Sequence, residues 1–237
     1  LWLDATRMPS PAGGTLRAFD LPRLPIPSNV SIMRRPGRRG RDQSPSRAAL
    51  RIDHRIRAAL QGWTVTEPSE GPNLTGFEDV PKPVAILFGY WQSHQYHSGA
   101  EDILRRELTP PVQRNSRAAR ILADFSGTET IAVHVRRGDY LTDPRVAREF
   151  GTLSPNYYQQ AIELIGGRCD RPGFVVLSDD PDWAAQNILP DGPTIHAELD
   201  APLDPVEVIA LMSRCTHAVV ANSSLSWWGA RLSQHAD

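Results

Sequence analysis

"IAVHVRRGDY", residues 131–140, decides how the rest of the chain is read. Its first five residues are an apolar run broken only by His134, the pattern of a buried strand. The run then ends abruptly in Arg136, Arg137, Gly138 and Asp139. Two readings fit such an ending. It is either a surface turn, or two guanidinium groups are aimed at an anion.

The pattern continues on the C-terminal side. "SPNYYQQAIELIGG" (154–167) supplies Ser154 as N-cap, Pro155 as first helical residue and Gly166–Gly167 as the stop. "FVVL" (174–177) reads as a second strand running into "SDDPDW", where Asp180 caps a helix from Pro181. "TIHAEL" (194–199) reads as a short strand, and "LDPVEVIALMS" as a helix with Asp204 as cap, Pro205 at N1 and Glu207 at N3. "HAVVA" (217–221) then leads into "NSSLSWWGARL", the start of a last helix. Strand, polar loop and helix alternate, which predicts an α/β fold: a parallel, Rossmann-like sheet with helices on both faces.

The first half is less patterned. Residues 1–45 are rich in Pro, Gly and Arg and read as irregular connections, with "TLRAFDL" (15–21) a short strand. "SRAALRIDHRIRAAL" (46–60) has helical apolar spacing and an Asp53/Arg57 pair. "PVAILFGYWQS" (83–93) reads as a buried strand. "SGAEDILRREL" (98–108) reads as a helix opened by a Ser98/Glu101 capping box and closed before Pro110–Pro111. We place a domain boundary at 124/125.

Composition narrows the class. Of 237 residues, 40% are hydrophobic and 22% charged, as in an ordinary globular protein that buries a core. No apolar run reaches the length of a membrane span, and the start lacks the pattern of a signal peptide. The net charge of −1 hides an asymmetry: twelve Arg and four Asp give residues 1–60 a balance of +8, leaving −9 for the rest. "MRRPGRRGR" (33–41) has no interleaved aromatics, and Lys82 is the single lysine, so we read general arginine usage and a solvated loop. Asn29 and Asn73 match glycosylation sequons of a kind that chance often supplies. Cys169 and Cys215 lie 46 apart with no ligand cluster in the surrounding sequence. We expect two reduced thiols and no metal site.

In an open parallel sheet, ligands bind outside the carboxyl ends of the strands. Three strands end there in polar clusters: Arg136-Arg137-Gly138-Asp139, Ser178-Asp179-Asp180 and Asn222-Ser223-Ser224. Arginines suit a bidentate grip on phosphate oxygens, and hydroxyls with N–H groups at a helix start make an anion site. The acidic loop is unsuited to phosphate, but its carboxylates suit a guanine edge or ribose hydroxyls. A nucleoside diphosphate satisfies all three clusters. Each has a bland alternative: a surface turn for the arginines, a helix cap for Asp180, a satisfied core residue for His134, core packing for Trp227 or Trp228. Neither a Walker-type loop nor a dinucleotide glycine fingerprint is present.

Taken together, "HVRRGDY", "LSPNYYQQAIELI", "VLSDDPDW" and "ANSSLSWWGA", with "FGYWQSHQYH" (88–97), resemble the α-1,2-fucosyltransferases of glycosyltransferase family 11. The resemblance covers most of residues 83–237, with fainter agreement at 3–21. It implies a GT-B-like architecture of two Rossmann-like domains: an acceptor-side domain over 1–124, incomplete at its start, and a GDP-fucose donor domain over 125–237. It implies inverting transfer of L-fucose from GDP-β-L-fucose to the 2-hydroxyl of a terminal galactose, with no metal or other cofactor. By similarity His134, Arg136, Arg137 and Asp139 match the family's H-x-R-R-x-D catalytic block. Ser178, Asp179 and Asp180 sit where related enzymes hold guanine, and Asn222, Ser223, Ser224 and Ser226 match a further donor block. The family's opening glycine loop and its closing strand and helix are not found, so the chain reads as an internal fragment.

On this reading Arg136 and Arg137 stabilise the charge that builds on the departing β-phosphate. Losing one such donor slows turnover by roughly 10²–10³-fold, by analogy with oxyanion-hole deletions. Arg136, nearest the strand end, is favoured as the direct contact, with the other arginine held structurally by Asp139. Asp139 or His134 are the candidate bases, although a carboxylate beside two arginines makes a poor one. Asp139 is therefore assigned to positioning. The expected partners are GDP-fucose and a galactose-terminated glycan, not nucleic acid, with peripheral membrane contact left open. The expected location is cytoplasmic or at the inner membrane of a bacterium, or the Golgi membrane in a eukaryote. Three alternatives stay open: an α-1,6 or protein O-fucosyltransferase, a nucleic-acid-binding protein using the first 60 residues, and an inactive sugar-nucleotide-binding module.

Overall fold

Apolar strands without polar alternation need cover on both faces. The computed structural model provides it. The structure describes residues 94–235 and four three-residue strands, β1 (Trp2–Asp4), β2 (Ser31–Met33), β3 (Thr64–Thr66) and β4 (Ala85–Leu87). The helix expected over 46–60, the strand within 15–21, the arginine-rich loop over 34–41 and both sequon asparagines lie outside the described residues. Of the strand expected over 83–93, Ala85–Leu87 is seen. The chain separates into two units, one mainly Asp102–Asp237 and the other mainly Met33–Glu101. β1 pairs with β2, and β3 runs parallel to β4.

The first unit holds a four-stranded sheet of β5 (Glu129–Val135), β6 (Pro172–Ser178), β7 (Thr194–His196) and β8 (His217–Val219). Its order is β7-β6-β5-β8 and every pairing is parallel, as the alternating pattern requires. The helices are α1 (Glu101–Leu108), α2 (Arg117–Asp124), α3 (Gly138–Thr142), α4 (Pro144–Glu149), α5 (Pro155–Gly166), α6 (Pro181–Asn187), α7 (Pro205–Met212) and α8 (Ser224–Arg231).

The caps read from sequence form as expected. The Ser154 hydroxyl accepts from the N–H of Tyr157, Asp180 from that of Trp183, and Asp204 from those of Val206 and Glu207, with Glu207 returning the bond to complete a capping box. One does not form. Ser98 and Gly99 lie in a turn, Gly99 has φ +81°, and α1 starts only at Glu101, so Ser98 is no N-cap.

Side chains of β5 alternate between the faces. Ile131, Val133 and Val135 pack with Phe174 and Val176 against Tyr158 and Ile162 of α5 and Ala184 of α6. Ala132 joins Val175 and Leu177 against Ala118 and Ile121 of α2 and Val208, Leu211 and Met212 of α7. All of these are buried. Gly229 of α8 packs close to α7, where an added Cβ would lie 2.9 Å from the Cβ of Met212. Both cysteines are free. Among the described residues, no helix is long and apolar enough to cross a membrane.

Candidate active site

Register builds the site. β5 and β6 pair through His134↔Leu177 and Val135↔Ser178, so Arg136 and Asp179 leave the sheet side by side. Nη1 of Arg136 lies 2.8 Å from Oδ2 of Asp179, and its Nη2 donates to Oδ1 of Asp139 at 2.6 Å. The backbone N–H of Arg137 donates to Oδ1 of Asp179 at 2.8 Å, and its Nε donates to Oδ2 of Asp180 at 3.0 Å. Trp183, in the first turn of α6, lies under the Arg137 guanidinium. The strand-end arginines therefore face a neighbouring strand's carboxylates and do not form a surface turn. The stretch expected to be a loop is partly helical, because α3 starts at Gly138 with Asp139 in its first turn. A Cβ at Gly138 would fall 2.7 Å from Oδ2 of Asp179, so glycine is what lets α3 start this close to β6.

The third cluster joins through Tyr140, a residue of the quoted motif that the sequence left without a role. Its ring lies 5.5 Å from the Arg136 guanidinium carbon, and it stacks on Phe150. Its hydroxyl donates to the carbonyl of Asn222 at 2.9 Å. The Asn222 amide donates to the carbonyls of Phe150 and Gly151 at 2.9 and 3.1 Å. The hydroxyls of Ser223 and Ser224, at the start of α8, make no hydrogen bond among the described residues. Ser226 differs. It is fully buried and its hydroxyl donates to the carbonyls of Ala221 and Ser223, so it shapes the loop and is closed to a ligand.

The acidic loop also departs from expectation. Asp179 uses both oxygens on Arg136 and Arg137, while Asp180 uses one on Arg137 and one on the N–H of Trp183. Ser178 is buried and its hydroxyl accepts from the N–H of Asp180 at 3.0 Å. The two carboxylates thus brace the arginines while remaining partly exposed. The sequence reading missed Glu198, which follows β7. Its Oε2 accepts from the N–H of Ser178 at 2.7 Å, and burial pushes its carboxyl up to about 7 despite the opposing backbone hydrogen bonds. No motif marked it.

His134 lies 7% exposed at the end of β5, with Nδ1 lacking a partner. Desolvation first, and then the charge of Arg136, bring its imidazole down to about 4. A ring held that low is neutral near pH 7 and accepts a proton poorly, so the structure does not support His134 as a base.

Two guanidinium groups thus meet three carboxylates at the carboxyl edge of the sheet. They are not equivalent. Asp139 holds Arg136, which is fixed from two sides, whereas Arg137 rests on Trp183 and hydrogen-bonds through Nε, with its terminal nitrogens unbonded among the described residues. The serine hydroxyls and the N–H groups opening α8 follow the third strand end, at the same edge of the sheet. A separate cavity of about 240 Å³, lined by Ser116 and Glu207 among others, involves none of the residues singled out from sequence.

Comparison with known proteins identifies the family. The model of the family described as Glycosyl transferase family 11 matches residues 77–236. O-antigen biosynthesis glycosyltransferase WbnK of Escherichia coli is 35% identical over 160 residues, 64% of this chain and 51% of that protein. An Alpha-1,2-colitosyltransferase of Escherichia coli is 30% identical over 158 residues, 63% of this chain and 51% of that one. Galactoside alpha-(1,2)-fucosyltransferase 1 of Homo sapiens is 27% identical over 165 residues, 66% and 45% respectively. The chain spans about half the length of the curated relatives it matches. No solved structure matches.

Proposed function

The chain belongs to glycosyl transferase family 11, and on that premise we propose that it moves L-fucose from GDP-β-L-fucose to the 2-hydroxyl of a terminal galactoside, inverting the anomeric carbon. One observation carries the reading: three strand-end clusters meet at one edge of a parallel sheet and are bonded to one another. Ligands of such sheets bind at that edge. Two relatives bear names specifying an α-1,2 linkage, one fucosyl and one colitosyl. The unit that is mainly Asp102–Asp237 would hold the donor and the unit that is mainly Met33–Glu101 the acceptor, as the two domains of a GT-B enzyme.

As GDP departs, negative charge builds on its β-phosphate. Fixed cations stabilise it, and no metal is required of them. We assign the direct phosphate contact to Arg137, whose terminal nitrogens are unbonded, in place of the Arg136 favoured from sequence. Arg136, clamped between Asp139 and Asp179, sets the orientation and adds charge. Ser223, Ser224 and the N–H groups of α8 take further phosphate oxygens. Asp139 positions Arg136 and is not the base.

The test is incubation with GDP-fucose and a lactose-type acceptor, with product linkage read by NMR and GDP release read separately. A 2-linked fucoside is expected. GDP-fucose binding without product would demote the chain to a sugar-nucleotide-binding module, and tight, salt-sensitive binding of polynucleotide would replace the proposal altogether. The relative named a colitosyltransferase favours a second reading, a different deoxysugar on the same nucleotide. Faster transfer from a colitose donor than from GDP-fucose would establish it.

A further inference from the structure

The opposite edge of the sheet carries a second cluster that the transfer reaction does not use. Glu129 opens β5, Cys169 lies in the turn between α5 and β6, and His217 opens β8. A carboxylate oxygen, a thiol sulfur and an imidazole nitrogen, one from each, all lie within 4.8 Å of one another. We propose that these three residues bind a zinc ion or a transition-metal ion of similar preference.

The donor set is the first argument. Sulfur, imidazole nitrogen and carboxylate oxygen are the zinc ligands, whereas calcium and magnesium sites use oxygen. Spacing is the second. Tetrahedral bonds of about 2.0–2.3 Å set ligand atoms roughly 3.3–3.8 Å apart, so small side-chain rotations close the site. Anchoring is the third. Parallel pairing fixes Glu129 opposite Pro172 and His217 opposite Ile131, so the strand ladder holds the Glu129 and His217 segments together. Glu129 is oriented further by the N–H of Asp170, which donates to its Oε1 at 2.7 Å. His217 has no hydrogen bond or ion pair among the described residues, and the Cys169 thiol makes one long contact, 3.4 Å, to the carbonyl of Ile165. Glu129 and Asp170 also set two carboxylates near the thiol, charge that a divalent cation neutralises.

The seven residues of β5 separate this cluster from Arg136 by roughly 20 Å. The ion would act as a clip across the amino ends of β5 and β8 and the approach to β6, with one coordination position left to water. The sequence concealed the site because its ligands lie 40 and 48 residues apart, far from any metal-motif spacing.

Chelator-treated chain titrated with Co²⁺ tests this. One equivalent should give a sulfur-to-cobalt charge-transfer band that Zn²⁺ bleaches, and Zn²⁺ should raise the thermal midpoint. Cys169→Ser should abolish the band, and His217→Ala should weaken Co²⁺ binding by roughly 10–100-fold, the scale of losing a metal-site group. Cys215→Ser, removing the other thiol, should leave the band unchanged. No band at saturating Co²⁺, a band that survives Cys169→Ser, or binding indifferent to His217→Ala would each overturn the proposal. If Cys169→Ser does not fold, the unmodified chain gives the same answer: Zn²⁺ should protect Cys169 from a thiol reagent, and unchanged labelling would refute the site.

Discussion

The guanidinium carbon of Arg137 lies 3.7 Å from the ring centroid of Trp183, while Nε of the same side chain donates to Asp180. The indole and the carboxylate both belong to the entry into α6, so one short helix start sets the plane and direction of the cation. A cation–π contact contributes about 0.5–2 kcal/mol. Trp183→Leu should therefore weaken GDP binding by about 2- to 30-fold, read by calorimetric titration, with the fold retained. Equal affinity in the variant would remove the indole from the site.

The two arginines should fail in different ways when replaced. Arg137→Lys keeps the charge but loses both the planar stack and the fork, so transfer should fall by roughly 10²–10³-fold, the scale of a lost oxyanion donor. Arg136→Ala should cost a similar factor and also loosen Asp179, visible as a lower urea midpoint. If Arg137→Lys turns over normally, the phosphate contact lies elsewhere.

Gly138→Ala would drive a Cβ to 2.7 Å from Oδ2 of Asp179 and 3.2 Å from its Cγ. The Arg136–Asp179 pair should separate, with loss of transfer and a destabilisation of about 1–3 kcal/mol, the usual cost of overpacking. In an Asp179→Ala background the same change should cost little, because the obstructing atoms are gone. A double-mutant cycle in denaturant measures that coupling. Additive losses would show that the strain arises elsewhere.

One buried and one half-buried group give stability opposite dependences on pH. His134 drops from 6.5 to about 4 on folding, so its contribution is present above pH 6.5 and is lost as pH falls through 4. Glu198 rises from 4.5 to about 7, so the folded state holds a proton that the unfolded chain has released, and stability falls as pH rises across that window. Glu198→Gln keeps an acceptor for the N–H of Ser178 and removes the titration. Relative to the parent, it should gain stability between pH 4.5 and 7, by at most about 1.4 kcal/mol per pH unit. Urea curves across that range check it, and a constant difference between the proteins would contradict it.

The fold was legible wherever caps and periodicity agreed. Ser154-Pro155, Asp180-Pro181 and Asp204-Pro205 each mark a helix start that the structure reproduces. α2 was missed although Ser116 caps it, because Arg117, Arg120 and Asp124 leave only Ala118 and Ile121 buried, too thin an apolar face to stand out. Ser98 misled in the other direction, since the capping-box spacing says nothing of the turn that Gly99 imposes. Within the site, the Arg136–Asp139 pair is local and follows from spacing three apart. The bonds from Arg137 to Asp179 and Asp180 cross 42 and 43 residues and depend on how β5 aligns with β6. That the acidic loop also engages the arginines was therefore not visible in the sequence. Glu198 left no trace because burial, not sequence context, raises it, and Ser226 resembled its neighbours until its carbonyl partners were seen.

The alignment of β5 with β6 has a consequence for assembly of the chain. Both faces of β5 and β6 are buried, so sliding one strand by a single residue would exchange its two apolar faces and move the guanidinium groups away from their counter-ions. A misaligned intermediate is thus penalised by uncompensated charge even where hydrocarbon still meets hydrocarbon. The crevice residues act as a proofreading check on strand assembly, and altering their charges should slow refolding as well as impair turnover.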